Sequence, residues 1–151
     1  MLLPLLAAGI TLILARHPAM QRVVSATTLA VVAVVSLVLC MAADAQGPIV
    51  LWVGAWPDGL GIVLVADRLS SLMLLVSSIV VAIVVIFPSR RDIADSADGA
   101  PVSVFHPTFL VLTAGVSNAF LAGDLFNLFV GFEMLLFSSY VLIMLGATRE
   151  R

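Results

Sequence analysis

Asp124-Leu-Phe-Asn-Leu-Phe-Val-Gly-Phe-Glu-Met-Leu-Leu-Phe-Ser-Ser-Tyr-Val-Leu-Ile-Met-Leu145 decides the fold class of this chain. As a helix it is long enough to cross a bilayer, for which about 20 predominantly apolar residues suffice. Glu133 stands near its middle. At a rise of ~1.5 Å per residue, its carboxyl lies roughly 13 Å beyond Asp124, close to the midplane of a ~30 Å hydrocarbon core. A charge at that depth costs roughly 2.5–3.5 kcal/mol on insertion scales. Such a group normally faces protein or water and has a partner.

The composition places the whole chain in the same class. Of its 151 residues, 62% are hydrophobic and 11% charged, and the mean hydropathy is +1.22. These values predict an all-α, polytopic transmembrane protein forming a single transmembrane domain over residues 1–151. The seven basic residues are all arginine, against nine acids, for a net charge of −2. That balance argues against nucleic acid as a partner and against anchoring by a basic patch. Cys40 is the only cysteine and lies in an apolar run, where it reads as a small hydrophobe. His17 and His106 stand apart, so the sequence offers no metal-ligand cluster and no motif for a resident cofactor.

Taken in order, the chain predicts five helices, over about 2–15, 23–42, 66–87, 108–122 and 124–146. The first apolar run has no positive charge before it and Arg16 and Arg22 after it, the reverse of a signal peptide, so it reads as a short spanning helix. His17-Pro18 is expected to end it. Between the second and third helices, the β-branched runs Pro48–Val53 and Leu60–Val65 flank Gly54-Ala-Trp-Pro-Asp-Gly59, a strong turn signal. An extended or hairpin segment is expected there, with Trp52 and Trp56 at headgroup level. Asp67-Arg68 opens the third helix, Ser89–His106 is a polar loop, and His106-Pro107 introduces the fourth helix.

If the five helices alternate, Arg16, Arg22, Arg90, Arg91, Arg149 and Arg151 fall on one side of the membrane and Arg68 on the other. Cytoplasmic loops carry the excess of arginine. The expected placement is a multi-pass cell-membrane protein with its N-terminus outside and its C-terminus cytoplasmic.

Glu133 is the leading functional candidate, as a proton-translocating group. On a helical wheel Phe126, Phe129, Val130, Phe137 and Tyr140 share its face, which is aromatic and dry. The opposite face carries Asp124, Asn127, Gly131 and Ser138, a small and polar stripe of the kind that packs helices together in lipid. Asp124 and Asp67 read as helix caps. Thr113, Ser117 and Asn118 give the fourth helix a polar patch at a comparable depth. They and Tyr140 are candidates to support the acid or order water beside it, or else serve as interhelical glue. His106, at the cytoplasmic boundary, reads either as a proton acceptor or as a polar boundary residue.

The run Phe120-Leu-Ala-Gly-Asp-Leu-Phe-Asn-Leu-Phe-Val-Gly-Phe-Glu-Met-Leu-Leu-Phe-Ser-Ser-Tyr-Val-Leu-Ile143 follows Ala114-Gly-Val-Ser-Asn and precedes Gly146-Ala-Thr-Arg-Glu-Arg. It resembles the antiporter-like membrane subunits shared by Mrp-type Na⁺/H⁺ antiporters, respiratory complex I and membrane-bound hydrogenases, and is most similar to the D-type subunit of the Mrp antiporters. Val65-Ala-Asp-Arg-Leu-Ser-Ser-Leu-Met73 resembles the start of that family's third helix. The resemblance is loose before residue 46 and specific after residue 105. It implies that Glu133 takes the place of the family's fifth-helix glutamate on the proton path. It also implies H⁺ and Na⁺ as transported ions, and other subunits of a hetero-oligomeric complex in the lipid bilayer as partners. In the family an intramembrane lysine on a later helix pairs with this acid, and this sequence contains no lysine. The chain is therefore expected to be the N-terminal part of a larger or split subunit. The alternatives are a proton-translocating membrane subunit of an NADH-quinone oxidoreductase or hydrogenase complex, and a non-transporting scaffold. No flavin, haem or iron–sulfur motif is present, so the chain is not expected to be an enzyme or to hold a redox centre itself.

Overall fold

The computed structural model describes residues 1–55, 61–86 and 102–147. Among these residues are five α-helices: α1 Leu2–Ile13, α2 Pro18–Gln46, α3 Arg68–Ile86, α4 Val102–Leu121 and α5 Leu125–Ala147. A two-stranded antiparallel hairpin, β1 Ile49–Trp52 and β2 Val63–Ala66, stands between α2 and α3. Its register pairs Ile49 with Ala66 and Trp52 with Val63. The architecture is the helical membrane fold expected from the sequence, with the extended segment where the β-branched runs lie. Trp56, Asp58, residues 89–101 of the polar loop, and Arg90, Arg91, Arg149 and Arg151 lie outside the described residues.

Among the described residues, four helices are long and apolar enough to span a bilayer: Pro18–Gln46, Arg68–Val85, Val104–Leu121 and Leu125–Leu145. α1 is apolar but has only 12 residues, a rise of roughly 18 Å, which reaches part of the way through a ~30 Å core.

The helix limits differ from the expected ones in two instructive places. α2 begins at Pro18 rather than residue 23 and continues to Gln46. Proline is well placed at the first helical position, where its missing N–H would have no partner and its fixed φ suits the helix. α1 stops at Ile13, before His17-Pro18 is reached, and Pro18 starts α2. α4 begins at Val102, with Pro107 inside it, rather than at residue 108. A proline in a membrane helix is accommodated when neighbouring helices hold the segment in place.

α4 is the centre of the bundle. Half of its spanning window is buried, against 11% for α5. It packs most extensively on α5 and α1, and also on α3 and α2. On one side Leu29, Val81, Val85 and Phe109 join α2, α3 and α4. On another, Ala7 and Ala8 of α1 close on Leu110, with Val24 and Val111 beside them. Small residues there let backbones approach, which helix association in lipid depends on.

Many buried hydroxyls are satisfied inside their own helices. Ser36 donates to Val32 O at 2.7 Å, Thr113 to Phe109 O at 2.8 Å and Ser117 to Thr113 O at 2.8 Å. This back-bonding lets a polar residue enter an apolar interface without an orphaned hydroxyl.

The hairpin lies at the same end of the bundle as the α4–α5 connection. Leu64 forms a β-bridge with Ala122, and Gly123 N–H donates to Val63 O at 2.8 Å. A Cβ at Gly123 would fall 2.7 Å from Val65 Cγ2 and 3.0 Å from Val63 O. Only glycine lets the connection lie this close to β2. The α1–α2 junction, with Arg16 and Arg22, is at the opposite end, one α2 length away.

Candidate functional site

α5 has two faces of opposite character, and α4 selects between them. Asn127, Gly131 and Ser138 turn toward α4, with Asn127 4% and Ser138 0% exposed. A Cβ on Gly131 would stand 3.0 Å from Ala119 N, and one on Gly115 would stand 3.1 Å from Leu135 N. The two backbones are therefore in contact across paired glycines. The small and polar stripe read from the sequence is the packing face.

At the hairpin end of this seam, Asn118 Nδ2 donates to Asn127 O and to Asn127 Oδ1, both at 3.0 Å. Asp124 caps α5: its Oδ1 accepts Asn127 N–H at 2.7 Å, while Oδ2 accepts Val63 N–H at 3.1 Å. The Asn127 and Val63 backbone N–H groups hold the Asp124 carboxyl below the usual carboxylate range, despite some desolvation. Asp67 does the same for α3, accepting Ser70 N–H at 2.6 Å, and the bond from Ser70 holds its carboxyl low as well. Arg68 reaches Asp44 at 2.9 Å across the end of α2.

Glu133 lies on the other face. It is exposed, and it has no hydrogen bond or ion pair among the described residues. The side chains sharing its face are outward as well: Phe126, Phe129, Phe137 and Tyr140 are each more than half exposed. The sequence-derived aromatic face is therefore the outer surface of the described bundle. Midway along α5 it presents one carboxyl among aromatic rings.

The supporting candidates divide accordingly. Thr113, Ser117 and Asn118 are buried in the α4 seam and bonded to α4 carbonyls or to Asn127, with no bond to Glu133. Tyr140 follows Glu133 by two turns on the outward face. Sequence reasoning missed Asn127 as the partner of Asn118, which needs the α4–α5 register. It also missed Gln21, fully buried and donating to Thr11 O at 2.7 Å. Starting α2 at residue 23 left Gln21 in a loop, and the signal that would have found it is Pro18 read as a helix start. A small cavity of about 140 Å³ between α1, α4 and α5, lined by Leu12, Pro107, Val111 and Phe137 among others, is apolar. It offers no ligand for an ion.

No family model matches the sequence. The chain is 38% identical over 148 residues to the D-type subunit of the Na⁺/H⁺ antiporter of Alkalihalophilus pseudofirmus, covering 98% of this chain and 29% of that protein. It is homologous to the D-type subunits of the Mrp Na⁺/H⁺ antiporters. This antiporter-subunit homologue spans a little under a third of the length of the curated relative it matches. Its fold matches part of the Mrp complex structure from Dietzia sp. at a TM-score of 0.83 and 32% identity, over 93% of this chain and 25% of that one. A membrane-bound sulfane sulfur reductase, an archaeal respiratory membrane complex, matches at a TM-score of 0.76 and 23% identity, over 92% of this chain and 28% of that one. The latter shows a shared fold.

Proposed function

We propose that this antiporter-subunit homologue is part of a monovalent cation/proton antiporter and supplies Glu133 to the proton path of a hetero-oligomeric complex. One observation carries the reading: a mid-helix carboxyl stands exposed on the aromatic outer face of α5. Lipid is a poor neighbour for that group, so protein that carries a proton donor or a basic partner covers it in the assembly. A partner that approaches and withdraws makes the acid release and take up a proton, which is the elementary step of coupling. The transported species are H⁺ and a monovalent cation, Na⁺ by analogy with the relative's name. The chain acts as a transporter component rather than an enzyme.

Arg16 and Arg22 lie at the end opposite the hairpin, and Arg90, Arg91, Arg149 and Arg151 follow helices that return to that end. By the arginine bias, that end is cytoplasmic and the hairpin end is outside. The similarity of fold to a respiratory complex supports a second use of the same scaffold, in a redox-driven pump whose electron carriers lie in other subunits. The higher identity to antiporter relatives favours the first.

Glu133→Gln keeps shape and hydrogen bonding and removes titration. In the assembled complex it is expected to abolish proton-coupled exchange, read with a pH-sensitive dye in vesicles, while the complex stays intact on a native gel. Normal exchange by an intact Gln variant makes Glu133 structural and ends this reading.

A further inference from the structure

A buried titratable group lies at the arginine-bearing end, away from the exposed Glu133. His106, in the second turn of α4, is 3% exposed, and its Nδ1 is buried with no hydrogen-bond partner among the described residues. α2 and α4 start from the same end and rise together. Leu29 packs with Phe109, and Val24 packs against the cluster of Leu110. One turn nearer that end along each helix stand Ser25 of α2 and His106 of α4. Ser25 is 1% exposed, and its Oγ likewise has no partner among the described residues. Arg22, one turn before Ser25, lies within electrostatic reach of His106, and its Nε is a third buried atom without a partner.

These three atoms have complementary capacities. An arginine Nε–H only donates, a serine hydroxyl donates and accepts, and an imidazole nitrogen does either according to its tautomer. Buried polar sets of this kind are normally completed by ordered water with two to four polar partners. Among the described residues, Arg16 and His17 of the α1–α2 junction stand at this end as well. α1 contributes Thr11, already bonded to Ala8 O. The charged residue of α3, Arg68, is at the other end, and Glu133 and Tyr140 of α5 face outward among the described residues.

We infer that His106 is a second proton-binding group of this protein, hydrated in a niche with Ser25 and Arg22 between α2 and α4. It takes a proton from water at Nδ1 or Nε2 and returns it to water, so no other reactant is needed. The titration stands on the geometry of this niche, and only its use in transport rests on the proposed antiporter function.

The test is magic-angle-spinning NMR of the assembled complex in lipid, with only this chain ¹⁵N-histidine-labelled and His17→Gln removing the other signal. The His106 ring is expected to titrate reversibly between about pH 5 and 8, to show exchange with water, and to shift its Nδ1 resonance in Ser25→Ala. A single neutral tautomer across that range with no water exchange overturns the inference and leaves the Glu133 reading intact. In vesicles, His106→Gln is expected to lower exchange about tenfold and to flatten its pH profile in an intact complex. An unchanged rate and profile overturns the role of His106 in transport. A titrating His106 in an unaltered complex that performs no exchange instead overturns the antiporter reading.

Discussion

The Val63 backbone N–H donates to Asp124 Oδ2 at 3.1 Å across 61 positions of sequence, tying the hairpin to the first turn of α5. The other oxygen of the same carboxylate accepts Asn127 N–H at 2.7 Å, so one side chain caps the helix and pins β2. Asp124→Ala is expected to cost roughly 1 kcal/mol from the lost cap. It should also release the hairpin from the α4–α5 connection. Faster hydrogen exchange at Val63 than in the unaltered chain is the measurement, and unchanged protection there contradicts the tie.

The pH dependence of this end follows from the same bonds. The Asp124 and Asp67 carboxyls are held below the ordinary value of 3.8 by backbone N–H donors. A group with a depressed folded value stabilises fully above its unfolded value and loses that contribution as pH falls through the folded one. The hairpin end should therefore be unaffected by these groups above about pH 5 and should loosen below about pH 4. In Asp124→Asn that acid loosening should shrink, as read by thermal unfolding in detergent at the two pH values.

The glycines of the α4–α5 seam set its spacing. Gly131→Val pushes a branched side chain into the Ala119 backbone, where even a Cβ stands at 3.0 Å. Overpacking of this kind costs about 1–3 kcal/mol, and the helices should move apart. The expected result is a lowered Tm and loss of a crosslink between cysteines placed at Gly115 and Met134, whose Cβ positions stand 3.1 Å apart. A retained crosslink at full yield contradicts the packing.

Asn118→Ala removes the donor to Asn127 and leaves that amide's oxygen buried. The expected loss is roughly 1–3 kcal/mol, the cost of an unsatisfied buried polar group. Asn118→Ala combined with Asn127→Ala should lose less than the sum of the two single losses. Additive losses in a double-mutant cycle would show that the pair does not interact.

Phe129 is 59% exposed on the face of Glu133. A lipid-soluble reagent should label Phe129→Cys in the isolated chain and fail to label it in the assembled complex, in a background of Cys40→Ala. Equal labelling in both states means that lipid, not protein, covers this face. In the same background, an impermeant reagent applied to intact cells should label Gln46→Cys and spare Ala19→Cys. The reverse pattern inverts the orientation.

Much of this architecture is written locally. Membrane partition depends on summed side-chain transfer free energies, so apolar runs of sufficient length predict spanning helices wherever they pack. The Asn127, Gly131 and Ser138 stripe was legible for the same reason, because helical periodicity alone puts small and polar residues on one side. Proline was harder to read. It ends a helix or begins one according to its neighbours, which is why α2 and α4 start earlier than expected.

By itself the sequence determined the fold class, the five helices, the hairpin between α2 and α3, and the isolation of one acid within a membrane span. The tertiary structure decided which polar groups meet. Asn118 finds Asn127, Asp124 finds Val63, and Gln21, Ser25 and His106 are buried while Glu133 turns outward. These are relations between segments, set by how helix faces and backbones approach one another. A hydrogen bond is directional and short-ranged, so no pattern of spacing within one helix specifies its partner on another.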